Sequence, residues 1–183
     1  MQFCTLRFKA KIYFMSIVPA FRKNMMKKRR SIRYFLTRLE KVSVKGIEKM
    51  RTEADAAAWA SLDCLDCANC CRTMTPTFTE QDLNRISAHL GMEKEAFRKK
   101  WLYKDRNGDW MNRKQPCQFL NLKDNKCSIY EVRPIDCAGF PHHTKKNMDD
   151  YMHVYKQNVE YCPATLKWVE ALRERVEAKY NVY

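Results

Sequence analysis

Four of the nine cysteines fall within eight residues, in the spacing C-x2-C-x2-C-C formed by Cys64, Cys67, Cys70 and Cys71. No helical or strand period places four cysteines in this way, so packing in a core does not explain them. A gap of two residues lets a tight turn direct two thiolates at one ion, which is the geometry of zinc and iron–sulfur sites. Adjacent residues such as Cys70 and Cys71 tend to point in different directions. The motif therefore suits two metal centres, or one centre and a spare thiol.

Further downstream the chain carries a second set of four cysteines, which brings the candidate ligands to eight, or two groups of four. The predicted metal ligands are Cys64, Cys67, Cys70, Cys71, Cys117, Cys127, Cys137 and Cys162. Because eight cysteines suffice for two sites, His142 and His143 are expected to face solvent or to support the ligands. Cys162 precedes Pro163, which predicts that Cys162 is the N-cap of a helix whose dipole favours the thiolate.

Several motifs give the chain a resemblance to a known family. They are Cys64-x2-Cys67-x2-Cys70-Cys71, Pro116-Cys117-x-Phe119-Leu120, Cys127-x-Ile129-Tyr130-x2-Arg133-Pro134-x2-Cys137 and Cys162-Pro163. From about Cys64 to Cys162 the chain resembles the YkgJ-like CxxCxxCC family, described as a zinc- or iron-chelating domain. The resemblance implies metal binding. Some larger relatives of that family are described as flagellin lysine N-methylases.

The identity of the metal stays open at the level of sequence. Three cysteines spaced x2-x2 with a remote Cys-Pro are similar to the bacterial ferredoxin pattern, which favours iron or a [4Fe–4S] cluster. Charged residues stand beside the cysteines of the motif, and they argue against an iron–sulfur cluster; these are Asp63, Asp66 and Arg72. Paired cysteines such as Cys117 and Cys127 suit zinc equally well. We therefore expect an iron–sulfur cluster or iron, with zinc as the close alternative.

The chain is predicted to be mainly α, with one or two short β-hairpins, as a small cysteine-rich domain built around metal. Only 4 glycines and 6 prolines argue against a fold rich in sheet and turns. Thr79 is expected to cap a helix together with Asp82, at the third helical position. Hairpins are predicted at Asn107-Gly108 and around Asp124-Asn125, the second of which would bring Cys117 and Cys127 together. Apolar residues at helical spacing mark further helices from residues 32, 47 and 163.

The positive charge is concentrated at the N-terminal end. Of the net charge of +14, residues 1–33 carry +10 and the remainder +4. We interpret residues 1–31 as a basic extension, disordered or preceding a true start at Met25 or Met26, and residues 32–183 as the cysteine-cluster domain. The apolar run at residues 12–21 is too short to span a bilayer. Clustered thiols favour a reducing, cytoplasmic location. Cys4 lies outside the motifs and receives no role.

Three classes of function fit these observations. The first is a metal-binding protein with a structural, metal-handling or redox-sensing role. The second is a cluster-dependent enzyme related to the flagellin lysine N-methylases, although no glycine-rich nucleotide loop and no Ser/His/Asp constellation stands out. The third is a nucleic-acid binder that combines zinc knuckles with a basic arm, although aromatic residues are not interleaved with Lys and Arg. We favour the first class. Arg133 is expected either to donate hydrogen bonds to the sulfurs or Glu131, or to form a surface ion pair.

Overall fold

The computed structural model describes the backbone of residues 3–180 and the side chains of residues 17–180. It is 59% helical and contains one small antiparallel sheet, which confirms the predicted mainly helical class. The α-helices are α1 (Phe3–Leu39), α2 (Ile47–Trp59), α3 (Cys64–Cys67), α4 (Asn69–Thr73), α5 (Glu80–His89), α6 (Lys94–Trp101), α7 (Ile135–Gly139), α8 (Met152–Asn158) and α9 (Pro163–Glu177). The strands are β1 (Thr77–Phe78), β2 (Leu102–Lys104) and β3 (Trp110–Asn112), and 3-10 turns lie at Tyr130–Val132 and Met148–Tyr151.

The chain divides into two compact units. The first unit consists of two separate segments, Met1–Cys67 and Pro141–Tyr183, and the second unit is the continuous stretch Ala68–Phe140. This division differs from the one predicted from charge, whose boundary between residues 31 and 32 falls inside α1. The division that follows packing therefore lies within the cysteine motif itself.

Helix α1 extends well to the N-terminal side of the predicted helix start. Its apolar stripe begins at Val18, Phe21 and Met25, all of which are buried, and continues into Ile32 and Phe35. Residues 17–31 thus form part of a packed helix, which differs from the disorder predicted for them. The reason is that apolar residues at three- and four-residue steps persist beneath the basic ones. Within the part of the chain that the structure describes, no helix combines the length and apolar character needed to cross a bilayer.

The core of the first unit is formed by α1, α2, α8 and α9. Trp168, Val169 and Leu172 of α9 are fully buried, and the indole of Trp168 donates a hydrogen bond of 3.2 Å to the carbonyl of Arg51 in α2. These residues belong to the apolar stripe of the helix that the sequence predicted from residue 163, and Pro163 stands at the start of the helix as expected. Burial of this stripe holds the first residues of α9 in a fixed position.

The second unit combines a three-stranded sheet with α5 and α6. The strand order is β1-β3-β2, both pairings are antiparallel, and Tyr103 of β2 faces Met111 of β3. The hairpin that joins β2 to β3 contains Asn107-Gly108, which confirms that prediction. Beneath the sheet, the rings of Phe97 and Phe119 stack with centroids 6.2 Å apart. These rings form the core that supports the loop carrying Cys117.

Candidate metal centre

The cysteine motif lies on two short helices. Cys64 and Cys67 begin and end α3, whereas Cys70 and Cys71 lie in α4. Ala68, between these helices, has a positive φ of 46°, which interrupts the helical path. The two units meet along the chain at this interruption, so that the motif contributes two cysteines to each unit.

Three stretches that are distant in sequence bring cysteines together in the second unit. The backbone N–H of Cys117 donates a hydrogen bond of 2.8 Å to the carbonyl of Cys71. Leu120 forms an antiparallel bridge with Cys127, which closes the predicted turn around residues 124–125. Cys137 is carried by α7. We refer to Cys71, Cys117, Cys127 and Cys137 as the four-thiol group.

Donors surround the sulfur of Cys117. The side-chain amide of Asn112 donates to Cys117 Sγ at 3.2 Å, and the backbone N–H groups of Phe119 and Leu120 also lower the pKa of this thiol. At Cys127 the backbone N–H of Ile129 has the same effect. Backbone N–H groups directed at sulfur stabilise a thiolate, because hydrogen bonds to the charged form favour it. The loop is therefore suited to hold negatively charged sulfur.

Burial nevertheless keeps these thiols protonated when no cation neutralises them. It raises the pKa of Cys117, and it raises the pKa of Cys127 to about 11. Burial is also the main cause of the raised pKa of Cys137, and negative charge on the other three members of the four-thiol group raises that pKa further. Such mutual repulsion is what a bound cation relieves, since metal binding displaces thiol protons.

The described thiols are not arranged in the geometry of a metal coordination shell. Among the described residues, no three Cys, His, Asp or Glu side chains converge in a geometry ready for a metal ion. Cys70 Sγ lies 4.0 Å from Cys71 Sγ, and all eight described cysteines are thiols rather than disulfides. The donor set itself fits zinc or iron, because both are bound by groups of cysteine thiolates.

Arg133 contributes charge near the four-thiol group. Its guanidinium stacks on the ring of Tyr130 at 3.9 Å and donates a hydrogen bond of 2.7 Å to the carbonyl of Tyr130. Its positive charge lowers the pKa of Cys127, although burial of that thiol dominates. The hydrogen bond of Arg133 to the carbonyl of Tyr130 is not among the roles predicted for this residue, and the hydrogen bonds to sulfur or Glu131 and the surface ion pair stay predictions.

The cysteines of the first unit lie in three different environments. Cys64 is exposed, Cys67 is half-buried and Cys162 is buried at the N-cap of α9, as its sequence position predicted. The expected preference for thiolate at this N-cap is not observed. Burial raises the pKa of Cys162 and outweighs the side chain and N–H groups at the start of α9, and negative charge on Cys64 raises it further. No cap hydrogen bond of full geometry forms there.

His143 is buried, in contrast to a solvent-facing position expected from the sequence. Its Nδ1 lies 2.8 Å from Asp55 Oδ1, its Nε2 lies 3.1 Å from Thr165 Oγ1, and its ring stacks on Trp168 at 4.5 Å. This arrangement of carboxylate, imidazole and hydroxyl was missed, because its members are far apart in the sequence. Thr165 is fully buried, so its hydroxyl has no access to a substrate. The arrangement joins α2 to α9.

The chain shows similarity to a family of metal-chelating domains and to an archaeal protein. The family model CxxCxxCC, "Putative zinc- or iron-chelating domain", matches residues 63–163. The chain is similar to "Uncharacterized protein MJ0661" of Methanocaldococcus jannaschii, with 32% identity over 81 residues. That alignment covers 43% of this chain and 43% of the relative, so the chain spans less than half the length of the protein it matches. No solved structure matches the chain.

Proposed function

The chain belongs to the CxxCxxCC family of zinc- or iron-chelating domains, and on this premise we propose that the second unit binds a metal ion through the four-thiol group. The observation that carries the proposal is the mutual charge effect among these thiols. Burial is the main cause of the raised pKa of Cys127 and of Cys137, and negative charge on Cys71 and Cys117 raises both further. At Cys137, negative charge on Asp136 and Cys127 has the same effect. Four half-buried thiols that repel one another once ionised make a favourable environment for a divalent cation.

The metal is zinc or iron, bound by four thiolates in a tetrahedral arrangement or built into an iron–sulfur cluster. The remaining predicted ligands are Cys64, Cys67, Cys70 and Cys162. Cys64, Cys67 and Cys162 belong to the first unit and are proposed to serve a metal centre there, whereas Cys70 belongs to the second unit. A [4Fe–4S] cluster is the finer form of the proposal for the metal, since the C-x2-C-x2-C spacing with a remote Cys-Pro is similar to the ferredoxin pattern.

The role of the metal in the second unit is first of all structural. The three strands contain two or three residues each, which is short for strands of globular proteins, so few main-chain hydrogen bonds hold the sheet together. Because a site built from separate loops forms only in the folded chain, its binding free energy becomes folding free energy. A second role, in metal handling or redox sensing, can be served by Cys64, whose thiol is exposed. Thiols in this state require a reducing compartment, so we place the protein in the cytoplasm.

The test is the metal and acid-labile sulfide content of protein purified without oxygen. We expect Cys127→Ser and Cys137→Ser each to lower the metal content by about one centre per chain and to reduce the free energy of unfolding. Cys4→Ser is the matched control, because it makes the same atomic change at a cysteine outside the motifs, and it should retain all metal. Zinc without sulfide, iron without sulfide, and iron with sulfide identify the three forms of the centre.

Two results would contradict the proposal. Full metal content in both Cys127→Ser and Cys137→Ser would remove the four-thiol group from the site. A wild-type chain that binds neither zinc nor iron after anaerobic reconstitution would exclude metal binding altogether.

A further inference from the structure

Helix α1 presents a row of cations on the face opposite its buried stripe. Lys23, Lys27 and Arg30 are exposed and follow one another at steps of four and three residues, which places them on one side of the helix. We call these three residues the outer row. We propose that the outer row binds the phosphate backbone of double-stranded DNA, an activity separate from metal binding.

The outer row differs from three neighbouring cations of α1, whose charges are neutralised by carboxylates. Lys28 pairs with Glu170 at 2.6 Å, and Arg29 and Arg33 pair with Glu160 at 2.9 and 3.4 Å. Among the described residues, no carboxylate pairs with a member of the outer row. The carboxylates of the first unit thus cover one flank of α1 and leave the outer row as an uncompensated positive line.

The cations of the outer row have a fixed spacing because they lie on a helix that is packed in place. A fixed spacing of cations favours a rigid polyanion, whose phosphates also have a fixed spacing. Packing of α1 against α9 fixes the helix axis, and the outer row extends over about 10 Å at a rise of roughly 1.5 Å per residue. Contacts of Lys and Arg to phosphate release counterions and need no particular base sequence. The major groove of B-form DNA admits a helix, whereas the deep and narrow major groove of duplex RNA does not.

Other anionic partners fit the same face less well. Proteins that bind single strands stack successive bases on several aromatic side chains, whereas Tyr34 is the one exposed aromatic residue among the described side chains of α1. A helix that lies in a membrane surface inserts its apolar face into the lipid. In α1 that face is already buried in the protein core through Phe21, Met25 and Ile32.

The experiment compares two triple variants of the full chain that lose the same formal charge. In the first, Lys23, Lys27 and Arg30 are each replaced by Gln, and in the second, Lys28, Arg29 and Arg33 are each replaced by Gln. Binding to a fluorescently labelled DNA duplex of arbitrary sequence is measured by anisotropy at several salt concentrations. Circular dichroism establishes that both variants fold, which their exposed positions favour.

The outer-row variant should reduce the slope of log K against log salt by about 2 to 3, because each lost phosphate contact removes about 0.9. The variant of the paired cations should change the slope by less than one, since those cations already have carboxylate partners. An equal decrease of the slope in both variants would mean that only the overall charge of the protein matters, and it would overturn the proposal. So would absence of binding by the wild-type chain, or tighter binding to duplex RNA, to single strands or to vesicles of anionic lipid.

Discussion

Replacing Asp82 by Ala should destabilise the second unit and disturb its metal ligands. The side chain of Asp82 is fully buried at the start of α5 and accepts hydrogen bonds from the backbone N–H and hydroxyl of Thr79, at 2.9 and 2.8 Å. It also accepts one of 3.0 Å from the backbone N–H of Ile135, the first residue of α7. Since α7 carries Cys137, one carboxylate connects the cap of α5 to a member of the four-thiol group.

The expected loss follows from these contacts. Removal of the helix cap costs about 1 kcal/mol. The hydrogen bond from Ile135 to a charged acceptor contributes about 1.5 to 3 kcal/mol. The ion pair with Arg85 adds roughly 0.5 kcal/mol, because that guanidinium is 42% exposed. We therefore expect the free energy of unfolding to fall by about 3 to 5 kcal/mol, and the metal of the second unit to be bound more weakly.

Urea-induced unfolding of the protein as purified measures this loss, and hydrogen exchange locates it within residues 68–140. Asp109→Ala is the matched control, because Asp109 is an exposed carboxylate of the same unit. The dependence on pH gives a second measurement. Burial alone would raise the pKa of Asp82, but its hydrogen bonds outweigh burial and lower it. Its contribution is thus complete above the unfolded pKa of about 3.9 and disappears as the pH falls through the lower folded value.

A loss in Asp82→Ala no larger than that in Asp109→Ala would refute the reasoning. Unchanged acid sensitivity in Asp82→Ala would do the same, because the variant lacks the group whose pKa is lowered. Destabilisation with unaltered metal affinity would show that the link from Asp82 through Ile135 does not position Cys137.

Two further predictions concern the first unit. Arg51→Met should reduce the free energy of unfolding by about 2 to 5 kcal/mol. Arg51 is buried and donates hydrogen bonds of 2.7 Å to the carbonyls of His143 and Lys145, and both carbonyls would lose this donor. Lys49→Met on the exposed face of α2 is the control in the same urea titration, and equal losses would contradict this account. Burial lowers the pKa of His143 despite its bond to Asp55, so its stabilising effect is complete above the unfolded pKa of about 6.5 and is lost as the pH falls below it. Stability measured from neutral to acidic pH should show this decline in the wild type and a weaker one in His143→Gln, and parallel curves would count against it.

Much of the fold was predictable where local chemistry decides it. The capping box of Thr79 and Asp82 at the start of α5 appears as expected. The hairpin at Asn107-Gly108 was equally predictable, because a positive φ at Gly108 suits such a turn. These elements depend on residues at most a few positions apart, so short patterns contain the necessary information.

Features that depend on distant residues were not predictable. Strand β1 contains only two residues and exists because it pairs with β3. No local sequence pattern predicts this pairing. The burial of His143 depends on Trp168 and Asp55, from two other segments of the chain. At Cys162 the helix start was correctly predicted, but the sequence gave no measure of the burial that raises its pKa. The spacing of the cysteines identified candidate ligands without showing which of them belong to the same unit.

The discontinuity of the first unit has a consequence for synthesis of the chain on the ribosome. Residues 68–140 are continuous, so the second unit has all its members, including the four-thiol group, before residues 141–183 are translated. The first unit cannot complete its core until α9 has been synthesised, because residues of α9 form part of that core. At about 5 to 20 residues per second this delay lasts roughly 2 to 9 s. The four-thiol group is therefore complete in the nascent chain before Cys162 is added.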